Sequence, residues 1–253
     1  MHTLIFMTAA ISLASTPSPA TVLKQFLKPA EWQTQQKYSQ AYQKVKKQAD
    51  FIRVFRQAQD IQAAAAIQKQ WDFYQDDPGK RKQPDFTWLK PFYPGLELTF
   101  QAEGTAAVMS TVYPEFAQLA KITPELQDDQ FINLMHRLHG DVDNGYRTWM
   151  ERTWDYGGCS YLGSNKHSQF LKEIQTQLKN KSPFQTELKE EQARLVQDLT
   201  QAESICGSRQ AALIELQQVQ KNFSWSKSEK QALQTRVQQI KSGKIPDQVL
   251  NPS

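Results

Sequence analysis

Along the first third of the chain, apolar side chains return every three or four residues. Tyr38, Tyr42, Val45, Ala49, Ile52 and Phe55 fall on one face of a single helix. The pattern runs on less regularly through Ile61, Ala65 and Trp71 and stops at Asp76-Asp77-Pro78-Gly79, with Lys80-Arg81-Lys82 and Pro84 as an exposed connection. The period then changes. Pro84, Pro91, Pro94 and Gly95 interrupt Phe86, Trp88, Phe92 and Tyr93, and residues 96–100 alternate as a short strand would, with no obvious partner strand.

Helical spacing resumes after Thr123-Pro124-Glu125, a helix-start signature. Phe131, Leu134, Met135 and Leu138 give that helix its buried face, and Gly140 ends it. Tyr146, Trp149, Met150 and Trp154 predict a further helix closing at Gly157-Gly158. Three helices are expected in the remainder. Phe170, Leu171, Ile174 and Leu178 mark one; Ser182-Pro183 opens the next, which runs through Leu188, Leu195, Leu199, Ala202 and Cys206 to Gly207, with Leu213, Leu216, Val219 and Phe223 continuing beyond it. A capping box, Ser226 with Glu229, starts the last, through Leu233, Val237 and Ile240 to Gly243. The expected fold is all-α: a mostly helical bundle with at most one short β element near 96–100.

Composition agrees and adds a division. In 253 residues there are 34 glutamines against 10 glycines, a balance that favours helices over glycine-rich α/β or all-β architectures. Residues 21–82 sum to a charge of +6, residues 83–158 to −6 and residues 159–253 to +4. The middle stretch holds only five of the glutamines but 12 of the 27 aromatics. An acidic, aromatic centre is thus expected between two glutamine-rich helical flanks of one domain, 21–253.

The N-terminus carries a different signal. The apolar run Leu4–Ala14 is too short to span a bilayer, which takes about 20 residues, but together with Ser18 and Ala20 it fits a secretory signal over 1–20 with cleavage before Thr21. No other stretch is long and apolar enough to cross a membrane, so an integral membrane protein is not expected. Cys159 and Cys206, an even pair in an exported chain, are expected to form a single disulfide. An antiparallel pairing of 165–179 with 183–206 would bring Cys206 near the loop that carries Cys159. Periplasmic or secreted localisation follows.

Candidate chemistry gathers around the centre. His136 and His139 stand at i, i+3 on one helix, and with His167 they are the candidate metal ligands, although no zinc-binding motif frames them. Glu151 and Asp155, one turn apart on the predicted 146–156 helix, are the candidate catalytic carboxylates of a hydrolase acting on envelope material; Arg147 at i−4 from Glu151 suggests a salt bridge instead. Ser160 lacks the Gly-x-Ser-x-Gly frame of a nucleophile elbow. The least generic segment is 154–163, where aromatics, a glycine pair and Cys159 meet. Trp149, Trp154, Tyr156 and Tyr161 are the candidate binding residues of an aromatic surface. The basic runs 44–47 and 80–82 are short and carry no nucleic-acid-binding signature. The expectation is a non-enzymatic binding role toward a protein or envelope component, without a cofactor and without nucleic acid, with the hydrolase as alternative.

Overall fold

A computed structural model describes residues 20–21, 24, 27–63, 87–101, 106–143, 147–152 and 158–248. Within them, eight α-helices surround an aromatic and aliphatic core, with a β-hairpin near one end and a small sheet near the other. The signal predicted over 1–20 lies outside these residues except for Ala20, as do Ala65, Trp71 and the Lys80–Lys82 run.

The apolar stripe 38–55 belongs to two helices, α1 (Pro29–Gln43) and α2 (Gln48–Ala63), where one was expected. The chain turns at 44–47 while Val45 remains buried, so the three-and-four spacing crosses a break that it cannot reveal. The strand at Leu96–Gln101 (β1) does have a partner, Ala106–Thr111 (β2), antiparallel with Leu96 opposite Thr111. Helices α3 (Tyr113–Ala120) and α4 (Leu126–His139) follow as a hairpin. The four apolar residues expected inside α4 are all buried, and Gly140 ends it at φ +83°, a conformation open to glycine.

A second correction concerns 146–156. Met150–Arg152 is a strand, β3, paired antiparallel with β4 (Gly158–Ser160), so no helix carries Glu151 and Asp155 together. Trp149, Met150 and Trp154 mimic helical spacing, but Gly158 opens a strand rather than ending a helix. The disulfide then connects neighbouring strands: Cys159 in β4 and Cys206 in β5 (Ile205–Cys206), with Cα atoms 5.1 Å apart. β5 lies parallel to β4 and to β6 (Asp247–Gln248), giving a sheet in the order β3-β4-β5-β6.

The C-terminal half has four helices rather than three: α5 (Lys166–Lys179), α6 (Gln185–Gln201), α7 (Arg209–Asn222) and α8 (Lys227–Lys241). α6 stops at Gln201, five residues short of Cys206, because Ala202 turns extended and leads into β5. The Ser226–Glu229 capping box forms at the start of α8. Every helix contributes to one apolar cluster. At its centre Phe131 and Phe184 stack at 3.8 Å, and Phe51 and Phe55 meet them edge-on.

Two consequences can be measured. Thiol titration in denaturant should find no free thiol before reduction and two after it; two before would overturn the bridge. Closing a 47-residue separation removes unfolded-chain entropy worth about 4 kcal/mol, so Cys159→Ser with Cys206→Ser should lower unfolding free energy by that order. Gly163 sits at φ +101°, where an added Cβ would lie 2.7 Å from the Ala212 backbone nitrogen. Gly163→Ala should therefore cost about 2 kcal/mol in a denaturant titration.

Candidate functional site

The residues singled out in the sequence are dispersed into separate environments. Trp149 is 1% exposed, packed edge-on against His167 and beside Phe170, and so lies in the core rather than on a binding surface. Trp154, Asp155 and Tyr156 lie outside the described residues. Tyr161 is half-buried: its hydroxyl donates to Glu151 Oε2, and the Lys166 ammonium stands 4.3 Å over its ring. That hydrogen bond is the main cause of a raised Tyr161 pKa. Arg147, expected beside Glu151, instead faces Asp143 and Glu191.

The three histidines face four carboxylates, none of them shared. His136, at the end of α4, is partly exposed and pairs with Asp141 at 2.6 Å. His139, three residues on, turns inward. It lies between Asp143 Oδ1, 3.2 Å from Nδ1, and Glu191 Oε1, 3.3 Å from Nε2. The two histidines of the i, i+3 pair therefore do not face one ligand. His167 is fully buried at the start of α5, its Nε2 2.6 Å from Asp198 Oδ2. Among the described residues, no three His, Cys, Asp or Glu side chains are grouped to hold a metal ion.

Local sequence explains the His139 site. After Gly140 the chain pairs back onto the end of β2, with Asp143 N donating to Thr111 O and Tyr113 N to Asp141 O. That bridge delivers Asp143 to the end of α4, where Glu191 of α6 meets it from the other side together with Arg147 and Arg194. Burial pulls His139 toward the neutral form, but the Asp143 and Glu191 carboxylates on either side of the ring outweigh it and raise its pKa above 6.5. Burial likewise pushes Glu191 up, and His139 with the two arginines outweighs it, leaving the carboxylate below 4.5.

Ser160, His167 and Asp198 are the residue types of an acyl-transfer triad in a different wiring. In a triad the imidazole stands between serine and acid, taking the hydroxyl proton on one nitrogen while the other donates to the carboxylate. Here the Ser160 hydroxyl donates to Asp198 Oδ2, and His167 Nε2 lies 2.6 Å from that same oxygen and 3.4 Å from Ser160 Oγ, so serine and acid meet one ring nitrogen while His167 Nδ1 has no hydrogen-bond partner. The carboxylate receives both protons, and Ser160 is 1% exposed, so no carbonyl can reach its Oγ. Arg236, its pKa lowered by burial against the opposing pull of Asp198, closes the far side and donates to Ala202 O. The cluster is a polar core beneath β4 and β5.

The loop between β4 and α5 positions one more carboxylate that the sequence reading passed over. Glu215 of α7 is fully buried and accepts hydrogen bonds from Gly163 N (2.6 Å), Asn165 N (3.1 Å) and Ser168 N (3.0 Å). It caps α5 from another helix, placing a negative charge at the positive end of that helix. The signal was present: Ala212, Glu215, Leu216 and Val219 share one spacing, as do Leu188, Glu191, Leu195 and Asp198, so these acids stand in phase with their apolar stripes.

Clamped in this way, α5 and α7 leave an open groove of about 510 Å³ between them. Its lining residues come from α5 (168, 169, 172, 175, 176 and 179) and from the α7 side (218, 222 and 223). The chain was compared with family models, with curated proteins and with solved structures. Nothing matches it.

The His139 cluster sets a pH dependence. A histidine whose pKa rises on folding stabilises fully below 6.5, and that contribution is lost as pH climbs through its folded value. Glu191, lowered on folding, stabilises fully above 4.5 and loses its contribution as pH falls through its folded value. Stability from this pair should be greatest between those two values. His139→Gln should flatten the decline of the urea midpoint above pH 6.5, and an unchanged slope would remove His139 as its cause. Glu191→Gln should cost about 3 kcal/mol, since it leaves His139 and Arg147 buried against a neutral partner.

Proposed function

We propose that this chain is an exported, non-enzymatic binding protein of the cell envelope, and that the α5/α7 groove is its contact surface. The observation that carries the reading is the contrast between the groove and the acid–base groups. Every buried histidine and carboxylate described above is turned toward a partner inside the protein, whereas the amide side chains of the groove make no such pairs. Gln169, Gln175, Gln218 and Asn222 line it without a side-chain hydrogen bond to the protein among the described residues. Concave sites with uncommitted polar groups on rigid elements suit recognition, and this one has both walls on helices. The disulfide supports an oxidising location, and no described helix is long and apolar enough to cross a membrane.

Immobilised full-length chain should retain a component of the envelope fraction of the cells that make it. Gln175→Ala with Gln218→Ala should cut that retention at least tenfold, while Glu151→Gln leaves it unchanged. Retention indifferent to the groove pair would overturn the assignment of the surface. Turnover of the retained component, abolished by Glu151→Gln, would make the protein the carboxylate-dependent hydrolase instead.

A further inference from the structure

The charge and chemistry of the groove specify more than a generic surface. Two lysines, Lys172 and Lys179, line it, and no acidic residue does. They are seven residues apart on α5, which places them on the same side of the helix about 10 Å apart. Neither makes an ion pair among the described residues. The neighbouring carboxylates are committed elsewhere: Glu173 grips Arg137 of α4 through both oxygens, and Glu215 is buried under the α5 N-terminus. The groove thus carries a formal charge of +2 with nothing inside it to neutralise that charge.

Four amides surround the lysines, beside two hydroxyls whose protons go to backbone carbonyls, Ser168 to Asn165 O and Thr176 to Lys172 O. An amide side chain both donates and accepts, and each hydroxyl can still accept, so the lining matches a ligand rich in hydroxyls. At the α7 end Phe223 is half-buried, its ring centroid 6.2 Å from that of Trp225, whose indole is held back by a hydrogen bond to Val219 O. A fixed aromatic ring at one end of a polar groove offers an apolar face to the C–H side of a sugar ring.

We propose that the groove binds an acidic polysaccharide whose negative charges are carboxylates, a hexuronate-type chain, with Lys172 and Lys179 meeting two carboxylates along it. A lysine ammonium meets carboxylate or phosphate alike as a point charge; what a phosphate site adds is free backbone N–H groups at a helix N-terminus, and here Glu215 already accepts from Gly163 N, Asn165 N and Ser168 N at the start of α5. Peptide grooves rely on a sheet edge, apolar side-chain pockets or arginine clusters, none of which lines this one. A volume of about 510 Å³ falls within the roughly 300–1,000 Å³ of small-ligand clefts and admits a few sugar rings of a longer chain.

The inference rests on the groove being the contact surface, and its test is separable from the test of that reading. A hexuronate tetrasaccharide is titrated into the full chain at low ionic strength, beside the same oligomer with its carboxyls reduced to alcohols and beside poly-L-glutamate of matched charge. Saturable binding of the hexuronate is expected, weakened about tenfold by Lys172→Gln with Lys179→Gln, weakened by Phe223→Ala, and unchanged by Lys230→Gln on the exposed face of α8. The reduced oligomer should bind at least tenfold more weakly than the hexuronate. Equal binding of poly-L-glutamate, insensitive to Phe223→Ala, would replace the sugar with an acidic peptide and overturn the proposal. No hexuronate binding at all would overturn it too; the groove would still stand as the contact surface if Gln175→Ala with Gln218→Ala abolished retention of the envelope component.

Discussion

A buried carboxylate left without a partner costs several kcal/mol, and α6 buries three of them along one side, Glu187 and Glu191 a turn apart and Asp198 two turns further on. Each is answered by a different element. Arg56 of α2 takes Glu187 with both Nε and Nη2, His139 and Arg147 take Glu191, and Ser160 and His167 take Asp198. Such pairs add little net stability over an apolar packing of equal volume, but a wrong neighbour leaves a charge exposed to hydrocarbon. Which helices surround α6, and in what order along it, follows from that requirement more than from the apolar stripes, which any helix could satisfy.

The same logic operates a second time at the other end of the molecule. β4 carries Cys159 and Ser160, so one short strand is held covalently to β5 and by a proton to α6. Immediately after it the chain bends at Gly163 against α7 and enters α5, where Glu215 collects three backbone N–H groups. The relative placement of α5 and α7, and hence the groove between them, is set by that one carboxylate and by a glycine that lets the two backbones approach. The buried polar groups are thus scaffold, and the surface they hold in place is the part of the molecule left free to meet something else.

How much of this was legible differs from element to element. Ends with a clear capping signal, such as α4 at Gly140 and α8 at Ser226 and Glu229, stand where their patterns put them, whereas α4 starts at Leu126 with Glu125 as its N-cap instead of Thr123. The break between α1 and α2 was invisible because Val45 stays buried across the turn and preserves the spacing. The segment of β3 reads as helix in the sequence because a three-residue strand is too short to show alternation, and Tyr146, Trp149, Met150 and Trp154 fall by chance at helical spacing. The histidine pair was legible as a pair and misleading as a site. Spacing of i, i+3 sets two side chains about 60° apart around the axis, and that was enough for one to be wet and the other buried.

Sequence alone determined the helical class, the charge and glutamine asymmetry, the capped or glycine-stopped helix ends such as those at Gly140 and Ser226, and the cysteine pairing, because these depend on local period, caps and parity. Tertiary structure decided which charges are buried. Glu191, Asp198 and Glu215 became visible as acids in phase with apolar stripes only once the stripes were known to face one another. It also decided that Trp149 is core and that a groove opens beside α5. Packing and electrostatics act between residues far apart in sequence, His167 with Asp198 and Gly163 with Glu215, and no local pattern records a neighbour that folding alone supplies.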